Sequence, residues 1–101
     1  MNIKIQSIHF DADKKLLDFV QEKVTKLGRY HDGIIEGEVF LKIDKSSHSD
    51  NKVAEIKIHM PGNDLFVKKQ CKSFEEAVDS SVDALTGQVK KYKEKAKVKG
   101  L

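Results

Sequence analysis

Residues 53–72 read VAEIKIHMPGNDLFVKKQCK, two runs of alternating side chains separated by the tetrapeptide PGND. In the first run Ile56, Ile58 and Met60 fall on one face, which is the pattern of a half-buried β-strand. The proline and glycine between the runs predict a tight turn. In the second run Lys69 interrupts the apolar series, so the sequence does not decide which face of this strand is buried. The stretch therefore predicts an antiparallel hairpin.

The chain before this hairpin predicts two more strands and a helix. Residues 38–44 alternate in the same way, and the polar residues 45–52 predict a long hairpin loop. Residues 1–10 also alternate and predict the first strand. Between these strands, apolar residues recur every three or four positions, with Asp13 as the expected N-cap of a helix and Gly28 as its C′ residue.

The chain after the hairpin predicts one long amphipathic helix. Ser73 and Glu76, three positions apart, form a capping box at its start. Gly87 lies inside the helix and weakens it by roughly 1 kcal/mol relative to alanine. The apolar stripe has helical spacing and consists of Phe74, Val78, Ser81, Val82, Leu85, Val89, Tyr92 and Ala96.

The resulting order, β-α-β-β-β-α, predicts an α+β fold. A strand–helix–strand start favours a right-handed crossover between parallel strands, and the two hairpin connections favour an antiparallel meander. We therefore expect a four-stranded sheet with both helices packed on one face and the other face open to solvent.

Length and composition favour one globular domain. The 101 residues predict a single domain over 1–101, in which 90–101 form a lysine-rich helix end or tail. The single cysteine, Cys71, excludes an intrachain disulfide and a multi-cysteine zinc site. Nothing approaches the ~18 apolar residues of a membrane span, and residues 1–10 lack the apolar centre of a signal peptide. We expect a soluble cytoplasmic protein without a membrane partner.

Positive charge is concentrated near the end of the chain. The net charge is +3, yet residues 73–89 hold four acids and no Lys or Arg, whereas residues 90–101 hold six lysines and one glutamate. A second basic group, Lys23, Lys26 and Arg29, ends the first helix. A local positive field attracts polyanions, so nucleic acid is the first candidate partner. A solvated tail is the alternative explanation for the lysine run by itself.

Catalytic and metal sites have no positive support in the sequence. The four histidines are scattered without ligand-pair spacing, and we interpret them as isolated surface or loop side chains. Cys71 has no base placed to activate it. We expect no enzyme activity, no metal and no cofactor. Only Phe40 and Phe66 are aromatic candidates on the central strands, so recognition should go through phosphates and shape rather than through base identity. Tyr30 is a candidate for stacking on a base, whereas Tyr92 fits the apolar stripe.

Three segments resemble the ribosome hibernation-promoting factors and ribosome-associated inhibitors, a family also described as sigma-54 modulation proteins. They are DKKLLDFVQEKVTKLGRY (residues 13–30), LKIDKSSH (41–48) and VDALTGQVKKYKEK (82–95), in order and at matching spacing. The likeness spans nearly the whole chain. It implies a fold similar to the double-stranded-RNA-binding domain with an added first strand.

The resemblance also implies a function, which is binding to the small ribosomal subunit over ribosomal RNA, in the channel between head and body. There the family blocks the tRNA and mRNA sites and stores idle ribosomes in stationary phase, as a stress response. It implies a non-enzymatic translation inhibitor without a small-molecule substrate, and we expect a monomer when the protein is free. The sequence leaves open whether this chain also promotes ribosome dimers.

Some candidate RNA-binding residues lie at positions that match the family. The others are neighbouring side chains that can also contact RNA. Ala84 and Gly87 depart from the pattern, since the family usually has Lys and Arg in the middle of this helix. The main candidates are Lys23, Lys26, Arg29, Lys90, Lys91, Lys93, Lys95 and Lys97, and the further candidates are Lys42, Lys45, His48 and Tyr30.

The sequence is compatible with two other functions. The first is general binding of double-stranded RNA, which would use the same cations. The second is a protein-interaction module in which the acidic half of the last helix, around Asp79 and Asp83, docks a basic partner.

Overall fold

The hairpin expected at residues 53–72 forms one side of a single four-stranded sheet, with its second strand at the edge. The computed structural model describes the backbone of residues 1–99 and the side chains of residues 1–93. Its elements follow the predicted order β-α-β-β-β-α. They are β1 (Asn2–Ser7), α1 (Lys14–Thr25), a 3₁₀ turn (Lys26–Arg29), β2 (Glu36–Ile43), β3 (Lys52–Met60), β4 (Asn63–Cys71) and α2 (Phe74–Lys99).

The four strands lie in the sheet in chain order, β1-β2-β3-β4. β1 pairs with β2 in parallel through the α1 crossover, whereas β2–β3 and β3–β4 are antiparallel. The β3–β4 connection is the predicted tight turn, and Gly62 within it has φ +76°, a left-handed conformation that glycine adopts without strain. The predicted fold class is confirmed.

Both helices cover the same face of the sheet. Val39, Ile56 and Ile58 are fully buried there, packed in one core with Val24 of α1 and Leu85 of α2. The opposite face carries the alternate side chains, most of them polar and half-buried or exposed. No helix within residues 1–99 is both long enough and apolar enough to cross a membrane.

The first helix begins as predicted but ends differently. The Leu16 amide donates to Asp13 Oδ1 at 2.8 Å, so the predicted N-cap is confirmed. The prediction that Gly28 terminates this helix is wrong, because the α-helix ends at Thr25 and Gly28 lies inside the following 3₁₀ turn. Leu27 of that turn is fully buried in the core. Its packing favours a continuation of the helical segment past Thr25 as a 3₁₀ turn. The basic end of the segment is therefore a 3₁₀ turn.

The last helix is continuous over 26 residues. The Glu76 amide donates to Ser73 Oγ at 3.1 Å, which is the predicted cap. The helix passes through Gly87 without interruption. Its predicted stripe is buried through Val89, and the Ser81 hydroxyl donates to a backbone carbonyl at 2.7 Å. The Ala96 side chain lies outside the described residues.

Candidate nucleic-acid interface

The basic ends of the two helical segments lie together. Lys23 Nζ is 3.2 Å from Asp79 Oδ1 near the start of α2, and Lys90 Nζ is 5.2 Å from the centre of the Tyr30 ring farther along both segments. The contacts occur in the same order on both segments, so the segments run in the same general direction. Their carboxyl-terminal ends therefore share one side of the molecule.

A pocket opens between these two ends. Its cations are Arg29, from the 3₁₀ turn, and Lys93, from α2. Both residues are exposed. We call this group, together with Lys90, the helix-end cations. The full lining of the pocket is Arg29, Tyr30, His31, Asp32, Gly33 and Lys93.

Tyr92 fixes this end of α2 to the rest of the fold. Its ring packs partly buried against the core, and its hydroxyl donates to the Pro61 carbonyl at 2.8 Å. The His31 ring meets it edge-on at 5.4 Å between centroids. The expectation that Tyr92 belongs to the core is confirmed. Lys91 and Lys93, its neighbours in sequence, are exposed on other sides of the helix.

The three basic candidates of the first segment have different surroundings. Lys23 is bound to Asp79 and also lies 5.6 Å from the centre of the Phe19 ring. Lys26 lines a groove along α1 that it shares with two acids, Asp18 and Glu22. Arg29 reaches both that groove and the pocket between the helix ends. Among these three residues Arg29 is therefore the best placed to meet a phosphate together with α2.

The last helix supplies three exposed lysines in the described part of the chain, Lys90, Lys91 and Lys93. The side chains of Lys95 and Lys97 lie outside the described residues.

The further candidates Lys42, Lys45 and His48 lie at the opposite end of the sheet. Lys42 pairs in register with Val53 at the start of β3, whereas the Tyr92 anchor lies just past its end at Met60. At ~3.3 Å per residue these positions are about 23 Å apart. The structure therefore separates these candidates from the helix-end cations.

The environment of this distant group is mixed in charge. The Lys42 ammonium forms an ion pair with Glu55. Lys42 and Lys45 line a cavity with Asp44. Hydrogen bonds from the side chain and amide of Ser46 hold the pKa of Asp44 below its ordinary value, so the carboxylate stays charged. This negative charge lowers the local positive field.

His59 is not the isolated side chain that the sequence predicted. His59 lies on the outer sheet face, as its alternation with Ile58 and Met60 indicates, but it bridges two carboxylates. Its Nε2 is 2.6 Å from Glu38 Oε2 and its Nδ1 is 3.2 Å from Asp64 Oδ1. The register causes this, since strand pairing brings together residues that are far apart in sequence.

The two partners shift each other's protonation. The hydrogen bond to Glu38 is the main cause of a raised pKa of His59, and the same bond is the main cause of a lowered pKa of Glu38. The ligand atoms of Glu36, Glu38 and His59 lie within 4.8 Å of one another. The hydrogen bonds of the His59 ring to Glu38 and Asp64 account for the closeness of the imidazole to these carboxylates.

The chain belongs to the sigma 54 modulation protein / S30EA ribosomal protein family, whose pattern matches residues 3–97. It is 28% identical over 97 residues to the ribosome hibernation promoting factor of Escherichia coli, covering 96% of this chain and 98% of the relative. It is 27% identical over 95 residues to that of Pseudomonas putida, covering 94% of this chain and 89% of the relative.

Solved structures agree with this assignment. The N-terminal domain of Thermus thermophilus Protein Y superposes with a TM-score of 0.80 at 30% identity, over 91% of this chain and 99% of that domain. A ribosomal subunit interface protein from Coxiella burnetii superposes with a TM-score of 0.83 at 20% identity, over 93% of this chain and 99% of that one, which shows a shared fold. The resemblance seen in the sequence is confirmed.

Proposed function

We propose that this chain is a ribosome hibernation factor. In this proposal it binds the small ribosomal subunit through phosphates of ribosomal RNA, in the channel used by tRNA and mRNA. It inhibits translation by occupying that space, in the cytoplasm of stationary-phase cells, and it carries out no catalysis. The supporting observation is that two segments of one fold bring Arg29, Lys90 and Lys93 together.

Electrostatics explains how such a surface would bind and orient the protein. Each cation that neutralises a phosphate releases condensed counterions, which favours association. The first half of α2 carries four acids, so it repels a polyanion while the helix end attracts it. RNA therefore meets the helix-end cations first. The acids are Glu75, Glu76, Asp79 and Asp83.

The proposed inhibition is steric, because the helix-end cations are fixed to a packed body. Tyr92 joins α2 to the turn at Pro61, and Leu27 anchors the 3₁₀ turn in the core. A folded sheet with two helices cannot share a channel with the tRNA and mRNA that need the same volume. In this proposal residues 1–101 form one ribosome-binding domain that is monomeric when free.

The test is competition on purified small subunits. Labelled protein is titrated onto subunits in the presence of increasing tRNA and a short mRNA. The proposal predicts that the apparent dissociation constant of the protein rises linearly with the concentration of free tRNA. Simultaneous binding of tRNA and protein would contradict the proposed site.

A second arm of the same experiment separates the general RNA-binding alternative. Naked duplex RNA replaces the subunits at equal nucleotide concentration. Hibernation-factor function predicts much weaker binding to the duplex, because a simple duplex offers the protein only part of the RNA surface that the small subunit offers. Equal affinity for duplex and subunit would favour a general double-stranded-RNA binder.

A further inference from the structure

We propose that the pocket between the helix ends takes one unpaired nucleotide, with its base stacked on Tyr30 and its phosphate held by Arg29 and Lys93. This proposal rests on the proposed function and specifies what part of RNA the site binds. It predicts recognition of a base as well as of charge. Duplex RNA cannot satisfy it, because a paired base keeps its faces inside the helical stack.

The aromatic ring is available for stacking. Tyr30 is 39% exposed. The cation over its ring is Lys90, at 5.2 Å from the ring centre. A base stacks on an aromatic ring more strongly than an exposed ammonium binds to one. A base can therefore replace the Lys90 ammonium on the Tyr30 ring.

The loop that follows Tyr30 is already fixed without RNA. His31 Nδ1 accepts the Gly33 amide at 2.8 Å, and the His31 ring packs edge-on against Tyr92. A Cβ at position 33 would lie 2.6 Å from the His31 ring, so any larger residue there would displace that ring. A loop held in place before binding loses little conformational entropy when a nucleotide enters.

The pocket also contains a carboxylate, which a simple phosphate site would not favour. Asp32 lines it together with Arg29 and Lys93. A carboxylate repels phosphate but accepts hydrogen bonds from the exocyclic amino groups of adenine, cytosine and guanine. Uracil lacks an exocyclic amino group and donates from its base only through the ring N3–H. The combination of cations, aromatic ring and acceptor therefore fits a nucleotide whose base carries an amino group.

The first test compares Tyr30→Ala with Tyr30→Phe on two single-stranded RNA probes. One probe is a short unstructured oligocytidine, and the other has the same backbone with abasic sites. The proposal predicts that Tyr30→Ala weakens binding to oligocytidine by about 5- to 150-fold, whereas Tyr30→Phe stays within about twofold of the parent. All three proteins should bind the abasic probe equally. Equal loss on both probes, or no loss on either, would overturn the proposal.

The second test concerns Asp32. The parent protein should bind oligocytidine more tightly than oligouridine of the same length, and Asp32→Asn should reduce this preference. A preference for oligouridine, or one that Asp32→Asn leaves unchanged, would overturn the assignment of the carboxylate. Arg29→Ala serves as the reference for charge, since it should weaken every probe by the same factor.

A failure of the nucleotide pocket can be distinguished from a failure of the proposed function. Small-subunit binding by the parent and the Tyr30→Phe variant tests the proposed function. If both bind subunits and Tyr30→Ala binds equally well, stacking is wrong while the hibernation role stands. If none binds subunits, the proposed function fails, and the probe comparison still decides whether the pocket takes a nucleotide. Far-ultraviolet circular dichroism of each variant verifies the fold.

Discussion

Asp79→Asn should strengthen the binding of this protein to ribosomal RNA. Asp79 Oδ1 lies 3.2 Å from Lys23 Nζ, and the side chains are 55% and 30% exposed, respectively. An exposed ion pair of this kind contributes only about 0.2–1 kcal/mol to folding. The substitution therefore leaves the fold intact, removes one negative charge and releases the Lys23 ammonium to bind a phosphate.

The size of the effect follows from counterion release. One additional phosphate contact steepens the dependence of log affinity on log salt by roughly 0.7–0.9. Extrapolated from a 1 M reference to about 0.1 M salt, that slope corresponds to an increase in affinity of at most about five- to eightfold. The gain should shrink as the salt concentration rises.

The assay is equilibrium binding of labelled protein to small subunits over a series of salt concentrations. Asp83→Asn is the matched control, because it makes the same change in charge one turn farther along α2 at another exposed acid. Asp79→Asn should exceed Asp83→Asn in both affinity and slope. Equal effects would mean that release of Lys23 contributes nothing. Weaker binding by Asp79→Asn would favour the alternative in which this acidic half-helix docks a basic protein.

Three further predictions concern the fold that carries the site. Leu85→Ala removes a fully buried side chain from the helix–sheet core, and urea unfolding should show a loss of about 3–5 kcal/mol, whereas a loss below about 1 kcal/mol would contradict that packing. Ser73→Ala removes the α2 cap and should cost about 0.5–2 kcal/mol, with Ser49→Ala in the exposed loop as a neutral control. The raised pKa of His59 stabilises the fold fully below its ordinary value of 6.5, and this contribution is lost as pH rises through the raised value. The lowered pKa of Glu38 acts in the opposite direction, and its contribution is lost as pH falls through the lowered value. In His59→Asn the free energy of unfolding should therefore lose part of its pH dependence above pH 6.5, and an unchanged profile would show that the cluster is not coupled to folding.

Most of the fold could be predicted from local patterns. Alternation identified the strands, because successive side chains of a strand point to opposite faces, and the Asp13 and Ser73 caps marked where the helices begin. The end of α1 could not be predicted in this way. Gly28 is the residue type that most often follows a helix at the C′ position. The burial of Leu27 next to it instead keeps the chain in a 3₁₀ turn.

The candidate site was predictable in part. The sequence identified both basic helix ends, but their meeting depends on the relative direction of the two segments, which only tertiary packing decides. The pairing of Lys23 with Asp79, 56 positions later in the chain, has no local signal. The separation of Lys42 from the helix ends also has no local signal, because it depends on the sheet register. The clustering of carboxylates around His59 has none either.

In the proposed function Arg29, Lys90 and Lys93 together form the RNA-binding surface. The most direct measurement is the salt dependence of small-subunit binding after all three are changed to alanine. With three phosphate contacts removed, the slope of log affinity against log salt should fall by roughly 2–3, and cosedimentation at moderate salt should be lost. The control replaces three exposed lysines elsewhere, Lys14, Lys15 and Lys69, and should retain most of the slope. If both triple variants lose slope and affinity equally, the binding depends on overall charge, and the account of a localised surface is wrong.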